Sequence, residues 1–282
     1  MLPTPRHALN ALYAVAGREV IKFVHQFGRL VSALVRPALW MLVFAAGFQN
    51  VFGVSIIEPY DTYITYQVYV LPGLLGIVLL FQGMQSSLSM VYDREMGVMR
   101  LLLTAPLPRW YLLLCKLVAG TVLSTLQAYA FLAACEVMSL VLPWTDVTVP
   151  WSGWLYMLPA IVLGGLMLGA VGLLLSVYVK QLENFAGTMN FVIFPMFFVS
   201  PALYPLWKLR ESGAEIIYVL ALANPFTYAV ELIRYAAYGK LNGEALAVVV
   251  ASGVVFFLLA AHGYDPQRGA IRRTPQAAGS AA

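Results

Sequence analysis

Polar and apolar positions along this chain fall into long blocks. Six apolar runs stand out, at Leu30–Phe52, Val68–Met90, Tyr111–Leu142, Leu155–Val179, Phe185–Leu206 and Ala245–Ala261. A bilayer core about 30 Å thick needs about 20 apolar residues per helix, and each run meets or approaches that length. The third is longer than a membrane requires, which predicts tilt, a kink or protrusion. Short alternating segments, the mark of a β-barrel, are absent, and an open sheet leaves unpaired edge groups in hydrocarbon. The fold class expected is an all-α polytopic membrane protein with six transmembrane helices.

A seventh apolar segment, Ile216–Tyr238, complicates the count. Asn224-Pro225 interrupts it, and Glu231 and Arg234 would sit in lipid. The reading is two short helices within an outer re-entrant segment, 207–244, that enter and return; a seventh span is the alternative. Irregular backbone at that depth is tolerated only against protein or a wet cavity.

The first 29 residues follow a helical period. Leu9, Tyr13, Ala16, Val20, Phe23 and Phe27 share one face, with Arg18, Lys22, His25 and Arg29 opposite. An apolar stripe backed by a basic one suits an interfacial helix in the headgroup layer, its Arg18, Lys22 and Arg29 facing phosphates. The other reading is an extension of span one into water.

Composition agrees with the pattern. Of 282 residues, 61% are hydrophobic and 11% charged, against about 25% charged in a soluble domain. Orientation follows from Lys and Arg. Five precede or open span one, four follow span two (Arg94, Arg100, Arg109, Lys116), Lys180 follows span four, and Arg268, Arg272 and Arg273 lie in the tail. These are 13 of the 17 basic residues, so both termini are expected to be cytoplasmic in an inner or plasma membrane. The tail, 262–282, is expected to be disordered. The first apolar run starts too far in for a cleaved signal peptide. The charge distribution gives no reason to expect nucleic acid. Cys115 and Cys135 fall on one helix about 30 Å apart at 1.5 Å per residue, beyond disulfide reach.

Charge concentrates in the first cytoplasmic loop, 91–110, which includes "YDREMGVMRLLLTAPLPRW". Taken as a helix, it places Met96, Met99 and Leu103 on one side and Asp93 with Arg100 on another. Pro106 ends the helix. A positive-inside loop with weak local ion pairs does not require such a helix; a docking surface for a cytoplasmic partner does.

That loop, with Y-D-R-E-x-G-x-x-R from Tyr92 to Arg100, L-L-x-x-P-L-x-R to Arg109 and then Lys116, resembles the signature region of ABC-2 type permeases. These are membrane subunits of ATP-driven exporters in the drug, polysaccharide and nodulation-factor class. "VRPALW", "LPGLLG", "QLENFAG", "SPALYPL" and "NPFTYAVELIRY" extend the likeness over nearly the whole chain, and the permeases associated with quinoprotein alcohol catabolism are similar. The resemblance implies an elbow-shaped N-terminal helix, six spans per subunit over 30–261, short re-entrant helices, and a dimer with a central path. It implies ATPase coupling through Tyr92, Asp93, Arg94, Glu95, Met96, Gly97 and Arg100, with a smaller contact around Lys180 and Glu183. The chain has no G-x-x-x-x-G-K-[ST] phosphate loop, so ATP and Mg are expected on a separate ATPase subunit.

Residues within the spans carry further expectations. Gln82, Gln85, Ser86 and Ser89 share a face of span two, which can line a path or join helices. Phe191, Phe194 and Phe198 in span five read as packing, with a substrate path for an amphipathic or lipid-like molecule as the alternative. Gly165 and Gly169 in span four predict close helix packing. Glu136, deep in span three but about six residues from its outer end, is read as paired with Arg234, with exposure at the outer interface as an alternative. The rival function is an ATP-independent proton-coupled transporter or channel in which Glu136 titrates. No arrangement of His7, His25 or His262 suggests a triad or metal site, so no enzyme activity is expected in this chain.

Overall fold

The computed structural model describes residues 5–25, 37–43, 58–60, 64–97, 108–142, 149–179 and 181–264, with isolated positions 28, 35, 47 and 147. Nine helices are resolved end to end among the described residues. They are α1 (Pro5–His25), α2 (Tyr66–Glu95), α3 (Arg109–Val141), α4 (Trp151–Tyr178), α5 (Leu182–Phe198), α6 (Leu206–Glu211), α7 (Glu215–Ala223), α8 (Pro225–Ala237) and α9 (Gly243–Gly263). A helical stretch also covers 37–43; the rest of the predicted first span lies outside the described residues, as does the tail beyond 264.

Among the described residues, four helices are long and apolar enough to cross a bilayer: α2, α3, α4 and α9. The pair α7–α8, bent by 76°, makes a fifth if counted as one span. The helix of the predicted fifth run, α5, has 17 residues. It stops at Phe198 rather than continuing to Leu206, because residues 199–205 turn aside to bond with α2 and α8.

α4 is apolar on all sides, as a helix buried in a bundle must be, and packs against α2, α3, α8 and α9. Small residues make its approach to α2 close. A methyl group at Gly83 would meet the Gly169 backbone at 3.0 Å, and one at Gly172 would meet the Gly83 carbonyl at 2.8 Å. Gly165 abuts Ser124 and Thr121 of α3. The predicted glycine seam therefore joins helices within one chain.

The bundle has two ends, set by α2. At its Asp93 end lie α1, the start of α3, the end of α4 and the start of α5. The end of α9 joins them, with Gly263 against Val177 and Tyr178. At its Tyr66 end, the Tyr66 hydroxyl donates to the Leu203 carbonyl at 2.8 Å, and Lys240 Nζ donates to the Pro59 carbonyl at 2.9 Å. The C-terminal turn of α8 sits there too, Ala237 touching Gly153.

Between 203 and 237 the chain goes deeper and comes back. Asn224 caps α8, accepting from Phe226 N at 3.1 Å, with Pro225 at the first helical position. Its amide donates to the Met196 and Val199 carbonyls at 2.7 and 2.6 Å. Phe226 and Val230 lie over Gly76, ten residues into α2. The predicted break at Asn224-Pro225 is thus a built corner whose polar groups are satisfied internally.

Candidate coupling site

The last turn of α2 gathers contacts from three other helices. Asp93 is 3% exposed. Its Oδ2 accepts from Lys116 Nζ of α3 at 2.7 Å and from Arg18 Nη2 of α1 at 3.0 Å. Glu19 completes the group, 3.0 Å from Arg18 and 3.5 Å from Lys116. Two acids and two bases thus balance in a largely buried ring. Removing one member would leave an uncompensated buried charge, which is why such rings hold their geometry. Burial works against the Arg18 charge, but hydrogen bonds to Glu19 and Asp93 and their charges hold its pKa above the ordinary value.

This overturns two expectations. Asp93 does not stand on an exposed docking face; it turns inward and pins α1 and α3 to α2. Nor does Arg18 face headgroups. It turns toward the protein, while Leu9 and Tyr13 of the predicted apolar face remain 54% and 77% exposed. α1 therefore docks on the bundle through Arg18 and Glu19 together with Val15, while Ala16, Val20 and Phe23 are half-buried. Lys22 lies on α1, its side chain outside the described residues, as are Arg29, Arg100 and Lys180.

The separate short helix expected over 93–100 is also corrected as far as Gly97, positions 98–100 lying outside the described residues. α2 runs unbroken through Glu95, and Gly97 ends it at φ +74°, a left-handed conformation open to glycine at no steric cost. Tyr92, Glu95 and Met96 are exposed around this terminus. Arg94 is half-buried, its Nε without a hydrogen-bond partner. It lies beside Tyr264, whose phenol burial raises while Arg94 and Arg109 oppose that shift. Glu95 Oε1 accepts from Leu182 N at 2.9 Å, placing a carboxylate on the first turn of α5 where exposed backbone N–H groups favour it. Glu183 is exposed on the same turn.

The predicted path residues separate. Ser86 packs against Gly120 of α3, and Ser89 bonds back within α2 to the Ser86 carbonyl at 2.7 Å. Gln82 is buried and Gln85 partly buried. On α5, Phe185, Met189, Ile193 and Phe197 face the core. Phe191, Phe194 and Phe198 face outward at 78%, 38% and 44% exposure, with Phe194 and Phe198 stacked. Packing within the chain therefore accounts for Phe197 and in part for Phe194, which meets Phe81 edge-on at 6.3 Å, and Phe198, which lies 5.9 Å from Trp40; Phe191 is the most exposed of the three.

Glu136 does not pair with Arg234. Arg234 donates to Glu231 and to the Pro201 carbonyl, while Glu136 is half-buried near the Tyr66 end with no ion pair among the described residues. No group of three or more His, Cys, Asp and Glu side chains among the described residues could hold a metal ion.

Sequence reasoning missed Glu19, Tyr66, Tyr69 and the Pro201 carbonyl. Glu19 had one visible signal, as an acid on an otherwise basic helix. The tyrosines had none.

Comparison with known proteins bears on what this geometry serves. The family described as ABC-2 type transporter matches residues 10–238. A protein described as a transport permease, ycf38 of Cyanophora paradoxa, is 27% identical over 269 residues, covering 89% of this chain and 88% of that protein. The Pyropia yezoensis ycf38 is 25% identical over 244 residues, covering 86% and 78%. The inner membrane transport permease YadH of Escherichia coli K12 is 23% identical over 252 residues, covering 88% and 92%. The family match spans α1 through α8, including the charged ring, the Gly97 terminus and the Asn224 corner, and on that ground the chain belongs to the ABC-2 type transporter family.

Proposed function

We propose that this protein is the membrane subunit of an ATP-driven exporter, working as a homodimer with a separate cytoplasmic ATPase that carries ATP and Mg. The ATPase docks at the Asp93 end of α2, on Tyr92, Glu95 and Met96, with Glu183 and the start of α5 beside them. Asp93 braces this site from within instead of touching the partner. The observation that carries the reading is the family match together with the convergence of α1, α2, α3 and α5 on one turn. A displacement imposed there reaches four helices at once.

In this reading the Asp93 end is cytoplasmic, both termini lie on that side of an inner or plasma membrane, and α1 rests in the headgroup layer. Six spans cross, the first being the run at 30–52. The pair α7–α8 enters from the outer side and returns, which the contacts of Leu203 and Ala237 at the same end of α2 support. The outward aromatic face of α5, Phe191, Phe194 and Phe198, meets a second copy and lines a central path for an amphipathic or lipid-like molecule.

Purification of the native complex followed by reconstitution tests this. The account expects an ATPase subunit to remain bound and ATP to drive transport. Transport by the permease alone, driven by a proton gradient, would contradict it.

A further inference from the structure

Three segments meet at one backbone carbonyl. Tyr69, in the first turn of α2, donates its hydroxyl to the Pro201 oxygen at 3.0 Å. Arg234 of α8 donates Nη2 to the same oxygen at 2.7 Å. The guanidinium lies 4.2 Å from the centre of the Tyr69 ring and donates Nη1 to Glu231. Residues 199–203, which follow the last turn of α5, are thereby held by α2 on one side and α8 on the other.

Arg234 is 3% exposed. A guanidinium so deep is costly, and well-packed apolar side chains often stabilise a core equally well. Its planar fork offers what they do not. It binds a carboxylate, a carbonyl and an aromatic face at once, so one side chain fixes α8, α2 and the end of α5 relative to each other.

We infer that Arg234 is a positioning residue and that its junction with Tyr69 and Pro201 is the latch through which α2 holds the outer side of the path closed. The inference rests on reading α2 as the ATPase-coupled helix and α5 as path-lining. α2 is continuous over 30 residues, with Pro72 inside it one turn after Tyr69, so Tyr69 and Asp93 lie about 36 Å apart along one helix at 1.5 Å per residue. Movement of the Asp93 end carries Tyr69 with it. When its hydroxyl leaves Pro201, residues 199–203 lose this hold from α2 while Arg234 and Asn224 keep them tied to α8, and the end of α5 around Phe198 opens to the outside.

The test uses the permease–ATPase complex in proteoliposomes, with a cysteine replacing Phe198 and an impermeant maleimide added on the outer side. Cys115 and Cys135 are fully buried and are replaced by Ala as a precaution. Tyr69→Phe removes the hydroxyl donor and keeps the ring; Arg234→Lys keeps the charge and loses the fork. Without nucleotide, each should speed labelling about five- to tenfold, the population shift expected from losing one buried hydrogen bond. Labelling in the variants should also lose its response to ATP. Unchanged labelling in both variants overturns the inference, as does faster labelling seen only in protein that has lost monodispersity. If the parent complex binds no ATPase, the functional reading fails on its own, and the nucleotide-free labelling comparison still reports on the junction.

Discussion

The Asp93 carboxylate, in the last turn of α2, and the Lys116 ammonium, two turns into α3, meet at 2.7 Å, both more than nine-tenths buried. The loop between them therefore starts and finishes at one fixed place. Whatever docks on Tyr92, Glu95 and Met96 pushes on a braced structure, not on a free loop.

Asp93→Ala should destabilise the protein by about 3–5 kcal/mol, the usual cost of stranding a buried charge. Adding Lys116→Met should recover much of the loss, because Arg18 and Glu19 still neutralise each other. Thermal unfolding in detergent across the two single variants and the double variant gives the coupling. Additive losses would mean that the pair does not act as a unit.

Gly172→Ala and Gly83→Ala should each cost roughly 1–3 kcal/mol, since the new methyl meets backbone that cannot step aside. Gly187→Ala, with nothing within 4 Å of the added atom, should leave the unfolding midpoint unchanged or slightly higher.

Glu136→Gln should keep most transport and introduce no new pH dependence. Glu136 is half-buried, and no second acid stands with it to form a relay among the described residues. Transport rates measured from mildly acid to mildly alkaline pH check this. Complete loss in a well-folded variant would favour a proton-coupled mechanism.

The C-terminal tail should be cytoplasmic, because Tyr264 lines a crevice with Arg18 and Lys116 at the Asp93 end. A cysteine at Ala282 should resist an impermeant reagent in intact cells and react after permeabilisation.

Much of the fold was legible because hydropathy and small-residue spacing are local signals. The long α3, the glycine seam of α4 and the break at Asn224-Pro225 all follow from neighbours in sequence. The direction of Asp93 was not legible. A charge at the end of an apolar helix can face water or protein, and the choice was made by Arg18, 75 residues away, and Lys116, 23 away. The Tyr69 contact with Pro201 spans 132 residues and leaves no local trace. The exposed face of α2 was half-read. Tyr92, Glu95 and Met96 stand outward, while the helix that was to carry them on to Arg100 stops at Gly97.

The most direct test of the central claim is site-specific photo-crosslinking in the native complex. A photoreactive residue at Met96, at the Asp93 end, should give a crosslink to the ATPase subunit that strengthens or weakens with nucleotide. The same residue at Leu140, 85% exposed at the opposite end, should give none. Crosslinking from Met96 to lipid alone, in a complex that still hydrolyses ATP and transports, would contradict the account.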